Sequence, residues 1–201
     1  MKKRCYRYFG GFLKAQQAWL NNMASRGWRL VRTRTLLYEF EPCNPGQYCY
    51  CVDFVGQMSY AKSKDYRQFL QGLGYRTFYK NLNLNWSVGH VRWRPWAKGM
   101  GQIATSPGGF NRELIIAEKQ NDGTPFALHT TCDDQIAAMR PLRAAWLNIA
   151  AVFLGLGLWS CVSEPERPAV WAVLIGLGLL SLIPAAAYWR KMARCARQPH
   201  Q

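Results

Sequence analysis

The chain has 201 residues, 26 Lys and Arg against 11 Asp and Glu for a net charge of +15, and seven cysteines. That length accommodates one globular domain of roughly 140 residues plus a membrane anchor, and a domain of that size buries enough core to need no disulfide scaffold. The charge excludes an acidic solvating chain and points to anionic partners; residues 1–143 alone hold 21 basic against 9 acidic side chains, and lipid headgroups are the simplest counterpart.

From the N-terminus, Cys5 to Phe9 alternate aromatic and basic residues, predicting a strand that turns at Gly10-Gly11. The opening MKKR starts like a signal peptide, but Arg7, Lys14, Gln16 and Gln17 interrupt any apolar region, so this part of the chain is expected to stay in the cytoplasm. Phe12, Ala15, Trp19, Met23 and Ala24 recur at helical spacing, with Gly27 placed for a left-handed C-terminal cap. Trp28 to Phe40 reads as an extended stretch, Cys43-Asn44-Pro45-Gly46 as a turn, and Tyr48 to Val55 as the returning strand of a hairpin. A second helix is predicted from an N-cap at Ser63 to Leu73, with Tyr66, Phe69, Leu70 and Leu73 on one side, ended by Gly74 and followed by a strand over Tyr75 to Tyr79. Strand, helix, strand, strand, helix, strand over residues 1–80 is the α+β, ferredoxin-like order, in which two helices cover one face of an antiparallel sheet.

Residues 81–130 predict additional strands: Trp86 to Trp96, rich in Trp and Arg, then a Gly-rich loop from Gly99 to Gly109, then a hairpin of Glu113–Lys119 and Thr124–His129 about Asn121-Asp122-Gly123. Thr131 with Asp133 and Asp134 marks a helix start, giving a juxtamembrane helix over 131–143 that Pro141 is expected to kink.

No charged residue occurs from Ala144 to Val162 or from Pro168 to Trp189. At 1.5 Å per residue these runs reach roughly 28 and 33 Å, the thickness of a bilayer core, and they leave no polar face for water. Both are therefore predicted transmembrane helices, 144–162 and 168–189, with a basic tail over 190–201. Arg140 and Arg143 precede the first span and Arg190, Lys191, Arg194 and Arg197 follow the second, which places both termini in the cytoplasm of a multi-pass protein of the plasma membrane. A reducing compartment makes the cysteines free thiols. The two spans echo one another as AVFLGLGLWS and AVLIGLGLLS, and the small pairs Ala151 with Gly155 and Ala172 with Gly176 are candidates for hairpin or oligomer packing.

Trp19-Leu20-Asn21, Met23-Ala24, Gly27-Trp28 and Leu30, then Tyr38 and Phe40, then Pro45-Gly46, Tyr48, Tyr50 and Val52-Asp53-Phe54 together resemble a bacterial domain-of-unknown-function family, number 2812. The resemblance covers residues 4–80, and residues 81–130 depart from it with extra Trp and Gly. It implies a cytoplasmic domain joined to C-terminal membrane helices in a bacterium, with no established activity or catalytic residues. Read for themselves, Trp19, Leu20, Met23, Gly27, Trp28 and Asp53 are a folding motif: a helix face, a turn and the start of the returning strand.

Chemistry has few carriers. Cys43, Cys49 and Cys51 are the metal candidates, through thiolates, although their spacing is not CxxC and no cofactor is expected. His129 with Cys132, Asp133 and Asp134 offers a base, a thiol and carboxylates but reads more simply as a helix cap. Phosphate-loop, HExxH, GxSxG and dinucleotide fingerprints are missing, so the chain is read as a non-enzyme. Tyr6 and Tyr8 with Tyr48 and Tyr50 would form a base-stacking platform if the domain were an RNA-recognition fold, yet Gln47 stands where that signature needs glycine, which disfavours nucleic acid. Arg92, Trp93, Arg94 and Trp96, with Arg140, Arg143, Arg190 and Lys191, are assigned to membrane-surface contact. The expectation is a membrane-anchored regulatory or scaffolding protein that binds a protein partner or itself beside anionic lipid headgroups, with an RNA-binding module or a thiolate metal protein as alternatives.

Overall fold

The computed structural model describes residues 2–84, 86–88, 91–96, 103–104, 112–128 and 132–197. The chain divides into two compact units, Met1–Val91 with Ala104–Leu128, and Arg92–Ile103 with His129–Gln201.

The first unit holds β1 (Lys3–Tyr6), α1 (Leu13–Ser25), β2 (Trp28–Thr33), β3 (Leu37–Pro42), β4 (Tyr48–Phe54), α2 (Tyr60–Gly72) and β5 (Arg76–Lys80). The short strands β6 (Trp86–Val88), β7 (Val91–Trp93) and β8 (Ile103–Ala104) follow, then β9 (Leu114–Gln120). The α+β class holds, as two antiparallel three-stranded sheets, β1-β3-β2 and β4-β9-β5. Where the sequence predicts one ferredoxin-like sheet, the pairing is redistributed. The extended stretch from Trp28 to Phe40 folds back on itself as the β2–β3 hairpin, with the Arg34 N–H donating to the Leu37 carbonyl. The turn at residues 43–46 therefore does not close a hairpin; it hands the chain to β4, whose partner is β9.

β9 is the central strand of its sheet, paired with β4 on one side and β5 on the other. Leu114 to Glu118 are all buried, as a strand covered on both faces requires, and an apolar run rather than an alternation is its signature. The expected second arm, Thr124–His129, is no strand through Leu128, and His129 lies outside the described residues. Instead Asp122 accepts from Lys119 Nζ, and from the N–H and hydroxyl of Thr124, which ties the turn to itself.

α1 buries Gln16, Leu20, Met23 and Ala24. Trp19 packs edge-on to Tyr38 and Phe40 at 4.9 and 5.6 Å between ring centroids. Gly27 holds φ +79°, and a Cβ there would lie 2.8 Å from the Cys43 carbonyl, so both the turn and the close approach demand glycine. α2 starts earlier than expected: Ser59, in extended backbone, is the N-cap and accepts from the Lys62 N–H, while Ser63 is buried inside the helix. Leu70 packs with Val55 and Ile115 in the core beside Tyr66, Tyr75 and Tyr79. Phe69 and Leu73, predicted on the same packed side, are 62 % and 54 % exposed.

In the second unit, α3 (Cys132–Ser163) and α4 (Pro168–Arg197) form an antiparallel hairpin closed by a short connector in which Arg167 pairs with Glu164 at 3.2 Å. The juxtamembrane helix and the first span are one helix running through Pro141. Both helices are long and apolar enough to cross a membrane. Leu156, Trp159 and Val162 on α3, and Val173, Leu180, Ile183 and Trp189 on α4, are exposed.

Candidate functional site

The domain's most concentrated chemistry lies between its two sheets. Glu118, on the central strand β9, is 2 % exposed. Its Oε1 accepts from Arg29 Nε at 3.0 Å and Nη2 at 2.8 Å, and its Oε2 accepts from the Tyr50 hydroxyl at 2.8 Å. The Tyr50 oxygen in turn accepts from the Leu30 N–H at 2.8 Å. The network thus joins β2 to β4 and β9, stitching one sheet to the other. A buried carboxylate is tolerated only when paired and hydrogen-bonded, and here both oxygens are used. The hydrogen bond to Glu118 raises the Arg29 pKa further above its ordinary value, while burial, with Glu118 adding to it, pushes the Tyr50 phenol far above the usual tyrosine range. Neither group is poised to exchange a proton near neutrality.

Arg29 also stacks on Tyr48, 4.2 Å from its ring centroid, and approaches Glu41 at 3.9 Å. Arg76 reaches Glu118 at 4.0 Å. These side chains wall two neighbouring hollows. One, of about 370 Å³, is lined by Arg29, Tyr48, Leu73, Tyr75, Arg76 and Glu118 among others; the second, of about 500 Å³, shares Arg29 and Tyr48 and runs over Glu41, Cys43 and Asn44. Sequence reasoning missed this site. Arg29, Arg76 and Glu118 are 42 or more positions apart along the chain, and no spacing motif links them.

Asp53 and Lys80 are among the other buried polar groups. Asp53 accepts from the Tyr66 hydroxyl at 2.9 Å, which ties α2 to β4, and burial followed by Asp53 raises the Tyr66 pKa. Lys80 is buried with its Nζ donating to the carbonyls of Arg34 and Thr35 and 4.6 Å from the Tyr38 ring centroid. Burial lowers its pKa from 10.5 to about 8.

The residues singled out in the sequence fare unevenly. Cys51 is buried, Cys49 Sγ donates to the Lys119 carbonyl at 3.8 Å, and Cys43 lies at the turn after β3. Burial raises all three thiol pKa values, the opposite of what a thiolate ligand needs. Among the described residues no three His, Cys, Asp or Glu gather as metal ligands. The tyrosine platform does not assemble: Tyr6 and Tyr8 are exposed at the N-terminal edge, Tyr48 lies under Arg29, Tyr50 is fully buried, and β1 and β4 belong to different sheets. Leu20 and Met23 are core residues, and Trp28 stacks under Lys3 at 4.9 Å.

Of the residues assigned to the membrane surface, Trp96 is instead buried, because the Pro95 carbonyl accepts from Asn148 Nδ2 on α3 at 2.8 Å and holds that segment against the helix. Trp93, Arg94 and Arg143 are half-buried, whereas Arg140, Arg190 and Lys191 are exposed. The side chains of Arg92, Cys132, Asp133 and Asp134, together with all of His129 and Thr131, lie outside the described residues. In the hairpin, Ala151, Gly155 and Ala172 face outward, and a Cβ on Gly155 or Gly176 would meet nothing within 4 Å. The close approach uses Gly157 and Gly178, where a Cβ would fall 2.7 Å from Ile175 Cγ1 and 2.7 Å from Leu154 Cγ. The hairpin contact thus falls on Gly157 and Gly178, in the same decapeptides as the small pairs expected for hairpin or oligomer packing.

No curated protein and no solved structure is detectably similar to the chain. One family does match, over residues 12–151, and so continues through the Trp- and Gly-rich stretch expected to depart from it. With most of its length inside that match, the chain belongs to the DUF2812 family, described as a protein of unknown function.

Proposed function

We propose that this is a non-enzymatic, membrane-anchored protein whose globular unit recruits a protein partner, or a second copy of itself, to the cytoplasmic face of a bacterial plasma membrane. The observation that carries the membrane half of this reading is the exposure of Leu156, Trp159, Val162, Val173, Leu180, Ile183 and Trp189 around a tightly packed hairpin. Water would drive such side chains inward, whereas lipid tails solvate them. Arg140 before the first uncharged run and Arg190, Lys191, Arg194 and Arg197 after the second favour cytoplasmic termini.

The binding half is supported by where the globular unit puts its polar groups. Three carboxylates are buried: Glu118 and Asp53 are tied to internal donors and Glu113 interacts with the Lys80 ammonium, while exposed apolar groups sit on α2. A domain built to hold its shape and present a surface looks like this; one built to turn over substrate leaves a titratable group accessible and unsatisfied.

Crosslinking and mass spectrometry of the tagged full-length protein, purified from its own membranes, test both halves. Reproducible crosslinks from the globular unit to one protein, or to a second copy, are expected. Recovery in the soluble fraction would overturn the anchor, and bound RNA without a protein partner would overturn the recruitment role. For topology, Glu166→Cys in the connector, in a Cys161→Ser background, is expected to react with a membrane-impermeant maleimide applied from outside intact cells.

A further inference from the structure

The hollow walled by Arg29 and Arg76 has an asymmetry that says what it accepts. Three cations line it, Arg29, Arg76 and Lys119, against one carboxylate, Glu118. The carboxylate is sealed behind the wall, with 2 % of its side chain exposed, whereas the Arg29 and Arg76 side chains are 26 % and 42 % exposed. Asp122 holds Lys119 at 2.9 Å, so the two guanidiniums dominate what an incoming group meets. Glu118, Tyr48 and Phe78 fix the guanidinium planes, the last with its ring centroid 5.0 Å from Arg76. Fixed guanidiniums lose little freedom on binding a carboxylate.

The lining also includes an aliphatic residue. Leu73, at the end of α2, lines the hollow, and Phe69 stands one helical turn before it. Both are exposed although the helix core is satisfied by Leu70 and Tyr66, so the pair is surplus to folding.

We propose that this groove docks an acidic segment of the protein partner, with carboxylates on Arg76 and Arg29 and one apolar side chain against Leu73 and Phe69. The proposal rests on the recruitment reading above and names the chemistry of the partner. A nucleic acid would want cations along a track, and a flat bilayer would not enter a hollow of about 370 Å³; the juxtaposition of a fixed cation pair with an aliphatic residue fits a peptide.

The test uses the full-length protein in phosphatidylcholine nanodiscs and a fluorescein-labelled peptide, Glu-Glu-Asp-Leu-Glu-Glu, read by anisotropy. Binding is expected, with a loss of about fivefold on Arg76→Gln and a similar loss on Leu73→Ser, both at exposed positions outside the core. A peptide with Lys for each acid is expected not to bind. Equal binding by wild type and both variants, or no binding at all, overturns the proposal. So does loss of peptide binding in phosphatidylglycerol nanodiscs that Arg76→Gln relieves, since the groove would then hold lipid headgroups. Partner crosslinks that avoid residues 69–76 would remove the groove and leave the recruitment role standing; absence of any partner in membranes, with peptide binding intact, would do the reverse.

Discussion

The two units bury and expose opposite kinds of side chain. In the globular unit apolar side chains such as Leu20, Phe40 and Ile115 are inside and charges are outside, and the buried charges Glu118 and Lys80 are each fixed by hydrogen bonds. In the hairpin Gly157 and Gly178 let Ile175 and Leu154 pack close, while many large apolar side chains, Leu156, Trp159 and Ile183 among them, are exposed. Composition averaged over the chain hides this: the mean hydropathy of −0.22 belongs to neither unit. A side chain's cost is therefore set by the unit that holds it.

The comparison is broken hardest at Glu118. Glu118→Ala strips the acceptor from Arg29 and Tyr50 across the sheet-to-sheet seam and is expected to destabilise the globular unit by about 3 kcal/mol, read by urea denaturation in detergent. Retention of wild-type stability would mean the seam is not what joins the sheets. Ile183→Arg, exposed on α4, would be harmless on a water-soluble helix but is expected to cost about 2.5 kcal/mol of membrane insertion, measured as the carbonate-resistant fraction.

Within the hairpin, the two glycines of α4 sharpen the same point. Gly178→Ala puts a methyl into Leu154 and is expected to lower hairpin stability in detergent by about 1 to 2 kcal/mol, whereas Gly176→Ala meets nothing and should be neutral or slightly stabilising.

The smallest effect is a pH dependence. Because burial lowers the Lys80 pKa from 10.5 to about 8, the unfolded chain holds more protons than the folded one between those values. The Lys80 contribution to stability should therefore rise with pH, by roughly 1.5 kcal/mol from pH 8 to 9.5, against the opposite contribution of the Cys43, Cys49 and Cys51 thiols, so it is read as the difference between wild type and Lys80→Met. Lys80→Met should flatten that rise while lowering stability throughout, since the Arg34 and Thr35 carbonyls lose their donor. A rise that survives the substitution would assign it to another group.

Some of this was legible in residue order. Helix α1 follows from the recurrence of Trp19, Leu20, Met23 and Ala24, its end from Gly27, and the two long apolar helices from two uncharged runs, because helical period and run length are local quantities. The β2–β3 turn was not. Arg34-Thr35 carries none of the residues that announce a turn, and the chain reverses there with Lys80, 45 residues on, donating to its carbonyls.

By itself, then, the sequence determined the α+β class, the two early helices and the apolar hairpin, each of which depends on contacts within one element or on its solvent. Only the tertiary structure decided that β9 enters between β4 and β5, that Gly157 and Gly178 rather than Gly155 and Gly176 make the hairpin contact, and that Arg29, Arg76 and Glu118 share one wall. Those are pairings between distant segments, chosen by which surfaces close together most completely, and residue spacing along one segment carries no record of them.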